Sequence, residues 1–238
     1  MKNLIYQYYR NADRERVNKD RPGVYVTSSD PYYEYSKKSI FAYSKKIDVG
    51  YKFLDYPIPG DLPLFYGIFL PFIEGWCHDW DNICFIDSDI MATVNAGNVF
   101  DYAGDHGITM HKMSVRGHRF EHSLRFEFFN KIRGFFNSGV VIFPRSEYKN
   151  FIEFSSTLKE RDLNRTPVIN SLGGFDQGML NVWIQETQRW HELPAEYNFH
   201  MGRYQKAKRW DDGVSLIHYH RNNKLMMKDE FEDERILK

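Results

Sequence analysis

Two acidic side chains two residues apart, Asp87 and Asp89, follow directly on an apolar run in ICFIDSDIM. On a continuing strand, residues two apart share one face, while a turn here lets the two carboxylates converge on one cation. Either geometry exposes two hard oxygen ligands at the carboxyl edge of a sheet. The plainer reading is a capping aspartate followed by a solvated one. His218 closes a second apolar run, SLIHY, and Lys224 lies six residues further on, past a polar turn. A neutral imidazole beside carboxylates suits Mn²⁺ or Zn²⁺ better than Ca²⁺, and a lysine meets a phosphate as a point charge. Taken alone, the plainer reading is a strand-end histidine and an exposed lysine.

Two further segments carry polar groups suited to a ligand. In FFNSGVVIF, Asn137 stands just before a strand at residues 139–143, followed by the small Ser138 and Gly139. Small residues let a ligand approach the backbone, and an amide both donates to and accepts from hydroxyls. In LGGFDQGMLN, Gly173 and Gly174 precede Asp176 and Gln177, which open a helix with Gly178 inside its first turn. An aspartate there is ordinarily a cap or a partner of the helix dipole. A purely structural helix would gain about 1 kcal/mol from alanine at Gly178, and close approach to a ligand explains the glycine.

These residues need elements to hold them. Residues 3–9 read as a buried strand. Asp30 and Pro31 have the types of a helix N-cap and first turn, with apolar positions at Tyr32, Tyr35, Ser39, Ile40, Tyr43 and Ile47. Strands are expected at 51–54, 82–87, 107–111, 139–143 and 214–219, and helices at 62–76, 145–159 and 175–186. Strands alternating with helices imply an α/β layer architecture with a mostly parallel central sheet flanked by helices, whose ligands bind where the strands end. A single domain is expected over residues 1–224, with a charged tail at 225–238.

Lys+Arg and Asp+Glu both total 32, so no global field draws this chain to nucleic acid or anionic lipid. The 16 tyrosines and 19 phenylalanines supply an aromatic core before any of them needs to face a ligand. Two cysteines without a C-x-x-C spacing argue against a zinc cluster or a disulfide framework and fit a reducing compartment. The start lacks a signal-peptide-like apolar stretch, and the most apolar run, residues 62–73, is too short to span a bilayer. A soluble, cytoplasmic protein without a transmembrane segment is expected. Residues 111–134, rich in Arg, His and Phe, are read either as an acceptor-side lid or as a loop and an amphipathic helix.

Taken together, the segments resemble glycosyltransferase family 8, the glycogenin-like and lipopolysaccharide galactosyltransferase-like enzymes with a GT-A fold. FIDSDIM matches the family's D-x-D motif, and Phe136 to Val140 its F-N-[AS]-G-V segment. Gly173 to Asn181 match its glycine-rich D-Q helix start, Leu193 to Asn198 its L-P-x-x-Y-N turn, and HYHRNNK its last histidine-to-lysine element. The order is the family's order. The resemblance implies a retaining, metal-dependent hexosyltransferase using a nucleotide-sugar donor, with UDP as the nucleotide, and a glycan or other hydroxyl acceptor. It further implies that Asp87, Asp89 and His218 ligate Mn²⁺, or Mg²⁺, and that Lys224 pairs with the diphosphate. Asn137 and Asp176 would hold the transferred sugar, and Gln177 would face its anomeric carbon. The family's nucleotide loop is not matched at the start of the chain, where Tyr8 or Tyr9 would stack on the base instead. The competing readings are a sugar-phosphate nucleotidyltransferase, whose glycine-rich loop is missing from QYYRNADRER, and a non-catalytic sugar-binding module.

Overall fold

A computed structural model describes residues 1–10, 32–62, 64–113, 135–163, 175–201, 210–219 and 221–238. The expected helix cap at Asp30 and Pro31, the hinge at Gly173 and Gly174, and residues 114–134 of the basic aromatic stretch lie outside the described residues.

The first apolar run forms β1 (Asn3–Tyr8), flanked in parallel by β2 (Gly50–Leu54) and by β3 (Asn82–Ile86). Its side chains alternate as a pleated strand requires. Leu4, Tyr6 and Tyr8 enter one hydrophobic cluster, and Ile5 enters another on the opposite face. The strand β4 (Ile90–Ala92) belongs to a second, smaller sheet, and the main sheet continues through β5 (Ile108–Met113), β6 (Phe135–Pro144) and β7 (Trp190–Glu192). The six-stranded order is β2-β1-β3-β6-β5-β7, and only β6 runs against the others. This is the mostly parallel sheet flanked by helices that the sequence implies.

Helix α1 (Tyr32–Lys46) covers one face of the sheet, burying Tyr32, Ser36, Ser39, Ile40, Tyr43 and Ser44. The expected face contained Tyr35, but Ser36 turns inward because its hydroxyl donates to the Ile90 carbonyl at 2.6 Å. The single helix expected at 62–76 is instead a 3-10 segment, Leu64–Phe69, followed by one α-helical turn, α2 (Leu70–Ile73). Pro71 lies in the first turn of α2, and left-handed Gly75 (φ 78°) follows its end. Gly67 lies flat on Tyr8, where a Cβ would approach the ring to 2.2 Å. The helix expected at 145–159 divides at Thr157 into α3 (Tyr148–Ser156) and α4 (Leu158–Leu163). Helix α5 (Phe175–Thr187) follows, and its Asn181 side chain brackets Phe136, accepting from its N–H at 2.9 Å and donating to its carbonyl at 2.8 Å. That double bond fixes α5 against the start of β6.

The smaller sheet has the order β4-β9-β8, with β8 (Phe199–His200) and β9 (Leu216–His218). The charged residues from 225 onward return to this sheet through α6 (Met227–Phe231): Leu237 N–H donates to the Ala92 carbonyl at 2.9 Å, and Met227 and Ile236 are buried. Trp210 and Tyr219 both donate to the Glu230 carboxylate.

Candidate active site

The D-x-D residues lie on a turn between the two sheets. Strand β3 ends at Ile86, and Ile90 N–H reaches back to the Asp87 carbonyl at 3.2 Å, so the chain doubles over before β4 begins. The turn is held from below by Gln7, a polar residue inside β1 that is fully buried. Its amide nitrogen donates to Ser36 Oγ at 2.8 Å and to the Asp87 carbonyl at 3.1 Å, while its oxygen accepts from Tyr51 OH at 2.7 Å. From the other side, Asp87 N–H donates to the Gly139 carbonyl at 2.8 Å.

Pairing of β4 with β9 sets His218 opposite Ile90, one residue from Asp89. Tyr219 N–H donates to the Asp89 carbonyl at 2.9 Å and completes the contact. As a result His218 Nε2 lies 3.1 Å from Asp89 Oδ1 and 3.8 Å from Asp87 Oδ2. One ligand atom from each of Asp87, Asp89 and His218 lies within 4.8 Å of the others. The 3-10 turn Arg221–Met226 brings Lys224 to the far side, with Nζ 2.7 Å from Asp89 Oδ2 and 4.7 Å from the ring centroid of Tyr32.

Charge is unevenly shared here. Burial opposes ionisation of Asp89, yet Lys224 and His218 hold its carboxyl well below the usual range. Asp87 goes the other way. Burial, then the neighbouring charges of Asp89 and Asp176, push it well above the usual range, and Lys224 offsets only part of this. Two carboxylates that close together favour a cation between them. Asp89 Oδ1 is buried without a hydrogen-bond donor, facing His218 Nε2, and an orphaned acceptor at that depth is costly unless something positive meets it. Two carboxylates and an imidazole are a mixed oxygen and nitrogen donor set, and these residues therefore fit a divalent cation.

Behind the triad, β6 is longer than expected and Asn137 lies inside it rather than before it. The pairing of β6 with β5 skips three residues between Met110↔Val141 and His111↔Asn137. This bulge, at residues 138–140, lets β6 stay paired with β3 while it re-aims Asn137. Asn137 Nδ2 donates to Gln177 Oε1 at 2.9 Å, and Asn137 Oδ1 accepts from Gly139 N–H and from Asn198 Nδ2, each at 2.8 Å. Gly139 has no room for a side chain: a Cβ would stand 2.6 Å from the His218 ring. Asp176 opens α5 beside this group. Burial raises its pKa to about 6, against opposing hydrogen bonds from Gln177 N–H and the Ser138 hydroxyl.

The structure thus gathers Asp87, Asp89, His218, Lys224, Asn137, Asp176 and Gln177 around one end of the main sheet. Tyr8 is only 8% exposed and belongs to the core, with its hydroxyl donating to the Tyr56 carbonyl at 3.0 Å. Tyr9, the residue after β1, stacks on Tyr33 with ring centroids 4.1 Å apart. Sequence reasoning assigns no role to Gln7 or Asn198. The signal that could have found Gln7 is a lone amide within the apolar run LIYQYY, and for Asn198 its place in the L-P-x-x-Y-N turn.

Residues 65–225, more than half of the chain, match the family model for glycosyl transferase family 8. The chain belongs to that family, and its mixed α/β architecture is the GT-A fold. Among solved structures it resembles a glycosyltransferase involved in the glycosylation of the major capsid of PBCV-1, at 11% identity and a TM-score of 0.58 over 98% of this chain and 100% of that one. It also resembles an active-site mutant of LgtC, at 11% identity and 0.51 over 95% and 94%. Mouse xyloside xylosyltransferase 1 matches at 13% identity and 0.50 over 94% and 99%. At such identities these structures speak for the fold alone. A search of curated protein sequences finds no match. No helix among the described residues is long and apolar enough to cross a membrane.

Proposed function

We propose that this family member transfers a hexose from a UDP-sugar to a glycan or other hydroxyl acceptor, with retention at the anomeric carbon, in a reaction that requires Mn²⁺ or Mg²⁺. The observation that carries the reading is the convergence of Asp87, Asp89 and His218 on one point, with Lys224 beside them. Asp87, Asp89 and His218 would hold the cation. A divalent cation at that point supplies positive charge to a departing nucleoside diphosphate.

The protein's own residues would do the rest. Lys224, ion-paired with Asp89, is a cation within reach of a diphosphate that meets the same metal. Tyr9, on its stack with Tyr33, offers a ring to the base. Asp176, Asn137 and Gln177 line the side where the sugar would lie. In the transfer the bond from the anomeric carbon to the diphosphate oxygen breaks and a bond to the acceptor oxygen forms, with the acceptor's proton released. Positive charge on the sugar during this exchange would be met by the Asp176 carboxylate. The testing experiment is a screen of nucleotide-sugars for metal-dependent release of nucleotide. Release from one UDP-sugar with Mn²⁺ and none with EDTA is expected. Tight binding of donors with no turnover on any acceptor or water would point to a binding module instead.

A further inference from the structure

Behind the cation ligands, four polar side chains form one continuous hydrogen-bonded chain, and its direction is fixed by two consecutive backbone amides. Gly139 N–H meets Asn137 Oδ1 at 2.8 Å, and Ser138 N–H meets Gln177 Oε1 at 3.3 Å. A backbone N–H can only donate, so the side-chain atoms it meets are amide oxygens. With the Gln177 oxygen so placed, the Asn137 amide nitrogen donates to it at 2.9 Å. The Asn137 oxygen takes its second hydrogen bond from Asn198 Nδ2 at 2.8 Å. Asn198 therefore turns its own oxygen to His218 Nδ1, 3.0 Å away. That oxygen cannot donate, so Nδ1 is the donor, and Nε2 is the nitrogen left to offer a lone pair to a cation. Nε2 is the atom that faces Asp89 and Asp87. Asn198 is 1% exposed, so water does not compete for its amide.

From this geometry we infer that Asn198 is a positioning residue that fixes the tautomer of His218 with its lone pair toward the cation and, through Asn137, ties that choice to the orientation of Gln177. The inference rests on the reading of Asp87, Asp89 and His218 as a cation site, and it assigns a role to a side chain that touches neither metal nor sugar. The two hydrogen bonds of Asn198 have separate consequences. Its oxygen serves the metal end by accepting from His218, and its nitrogen serves the sugar end by donating to Asn137. Because both directions are set by the backbone of residues 138 and 139, reversing one amide would oppose two acceptors somewhere along the chain, which is costly when buried.

The test pairs nitrogen NMR of histidine-labelled, metal-free protein with titration of Mn²⁺ alone. In the wild type, His218, assigned by comparison with His218→Gln, is expected to be protonated on Nδ1. Asn198→Ala should lose that preference and bind Mn²⁺ about 10–100-fold more weakly. Asn198→Asp keeps an acceptor for Nδ1 but offers no donor to Asn137. It should retain Nδ1 protonation and Mn²⁺ affinity no weaker than the wild type's, while kcat with the active nucleotide-sugar falls. A wild-type His218 with Nδ1 unprotonated would overturn the inference. So would Asn198→Ala with Nδ1 still protonated and unchanged Mn²⁺ affinity. Should Asn198→Ala fail to fold, the wild-type tautomer and the aspartate variant still decide. Absence of Mn²⁺ binding by the wild type would defeat the cation-site reading, whereas the tautomer measurement in metal-free protein judges Asn198 separately.

Discussion

Asp89 is shared between two basic groups, with Lys224 Nζ 2.7 Å from one carboxylate oxygen and His218 Nε2 3.1 Å from the other. The two interactions differ in kind. Lys224 is a permanent cation whose own pKa, although opposed by burial, is raised chiefly by Asp89. The His218 side faces an oxygen with no hydrogen-bond donor, and it is this side that a divalent cation would complete.

Removing the shared carboxylate therefore serves as the first test. Asp89→Ala should lower turnover by about a hundredfold or more, the scale of losing a group that organises charge at a reacting centre. It should abolish Mn²⁺ binding as well. Lys224→Ala should behave differently, weakening UDP while leaving Mn²⁺ affinity within a few-fold of wild type. Steady-state kinetics and separate titrations of metal and nucleotide check both. Near-wild-type turnover in Asp89→Ala would remove the central reading.

Gly139 supplies a steric test. A methyl group there would stand 2.6 Å from His218 Cε1 and Nδ1 and 2.9 Å from Asn137 Oδ1. Gly139→Ala should cost about 1–3 kcal/mol by overpacking and weaken Mn²⁺ binding more than tenfold by displacing the imidazole. Denaturant unfolding and Mn²⁺ titration measure the two effects. Unchanged metal affinity would mean that the ring can shift without loss, contrary to the constraint described for it.

The site is readable from sequence to the extent that its chemistry sits at strand ends. Asp87 and His218 each end an apolar run, with Asp89 two residues past the first, and apolar runs declare buried strands. The sequence leaves the intervening turn open between two geometries, because the hydrogen bonds that choose it come from Gln7 and Gly139, 80 and 52 residues away. The helix expected at 62–76 fails for a similar reason. Its apolar content is satisfied by 3-10 packing in which Gly67 must fit against Tyr8. Periodicity puts Asn137 outside its strand because a bulge of residues 138–140 leaves no mark there beyond the small Ser138 and Gly139.

Metal and nucleotide should bind as linked ligands. If Asp87, Asp89 and His218 leave coordination positions for phosphate oxygens, neither metal nor diphosphate alone has a full site, and the carboxylates repel a diphosphate that arrives without a cation. A ligand at a hundredfold excess over its dissociation constant stabilises by about 2.7 kcal/mol, a rise of roughly 5–11 °C in Tm for a domain of this size. UDP with Mn²⁺ should reach that range in a thermal-shift assay, UDP with EDTA should do little, and GDP with Mn²⁺ should do less than UDP. A larger shift with GDP would overturn the uridine assignment alone. Equal shifts with and without Mn²⁺ would contradict an assembled site.

Asp176 gives a prediction with a definite sign. Burial raises its folded-state pKa to about 6, whereas an unfolded aspartate titrates near about 3.9. Between those values the folded protein holds a proton that the unfolded chain has released, so stability falls as pH rises through this window. Below the window the carboxyl is neutral in both states and costs nothing. Above it, the buried charge costs about 1–3 kcal/mol, counting its partial exposure. Asp176→Asn keeps the shape and an acceptor oxygen but removes the charge, and with it one of the causes that raise Asp87. The variant should therefore unfold at nearly the wild-type denaturant midpoint at pH 4 and at a higher one at pH 7.5. Its kcat should nevertheless drop much more than its affinity for UDP, since a carboxylate that meets charge developed during transfer acts on the transition state. A stabilisation equal at both pH values would mean that the group is not titrating as described. Equal losses in kcat and UDP affinity would make Asp176 a structural cap of α5.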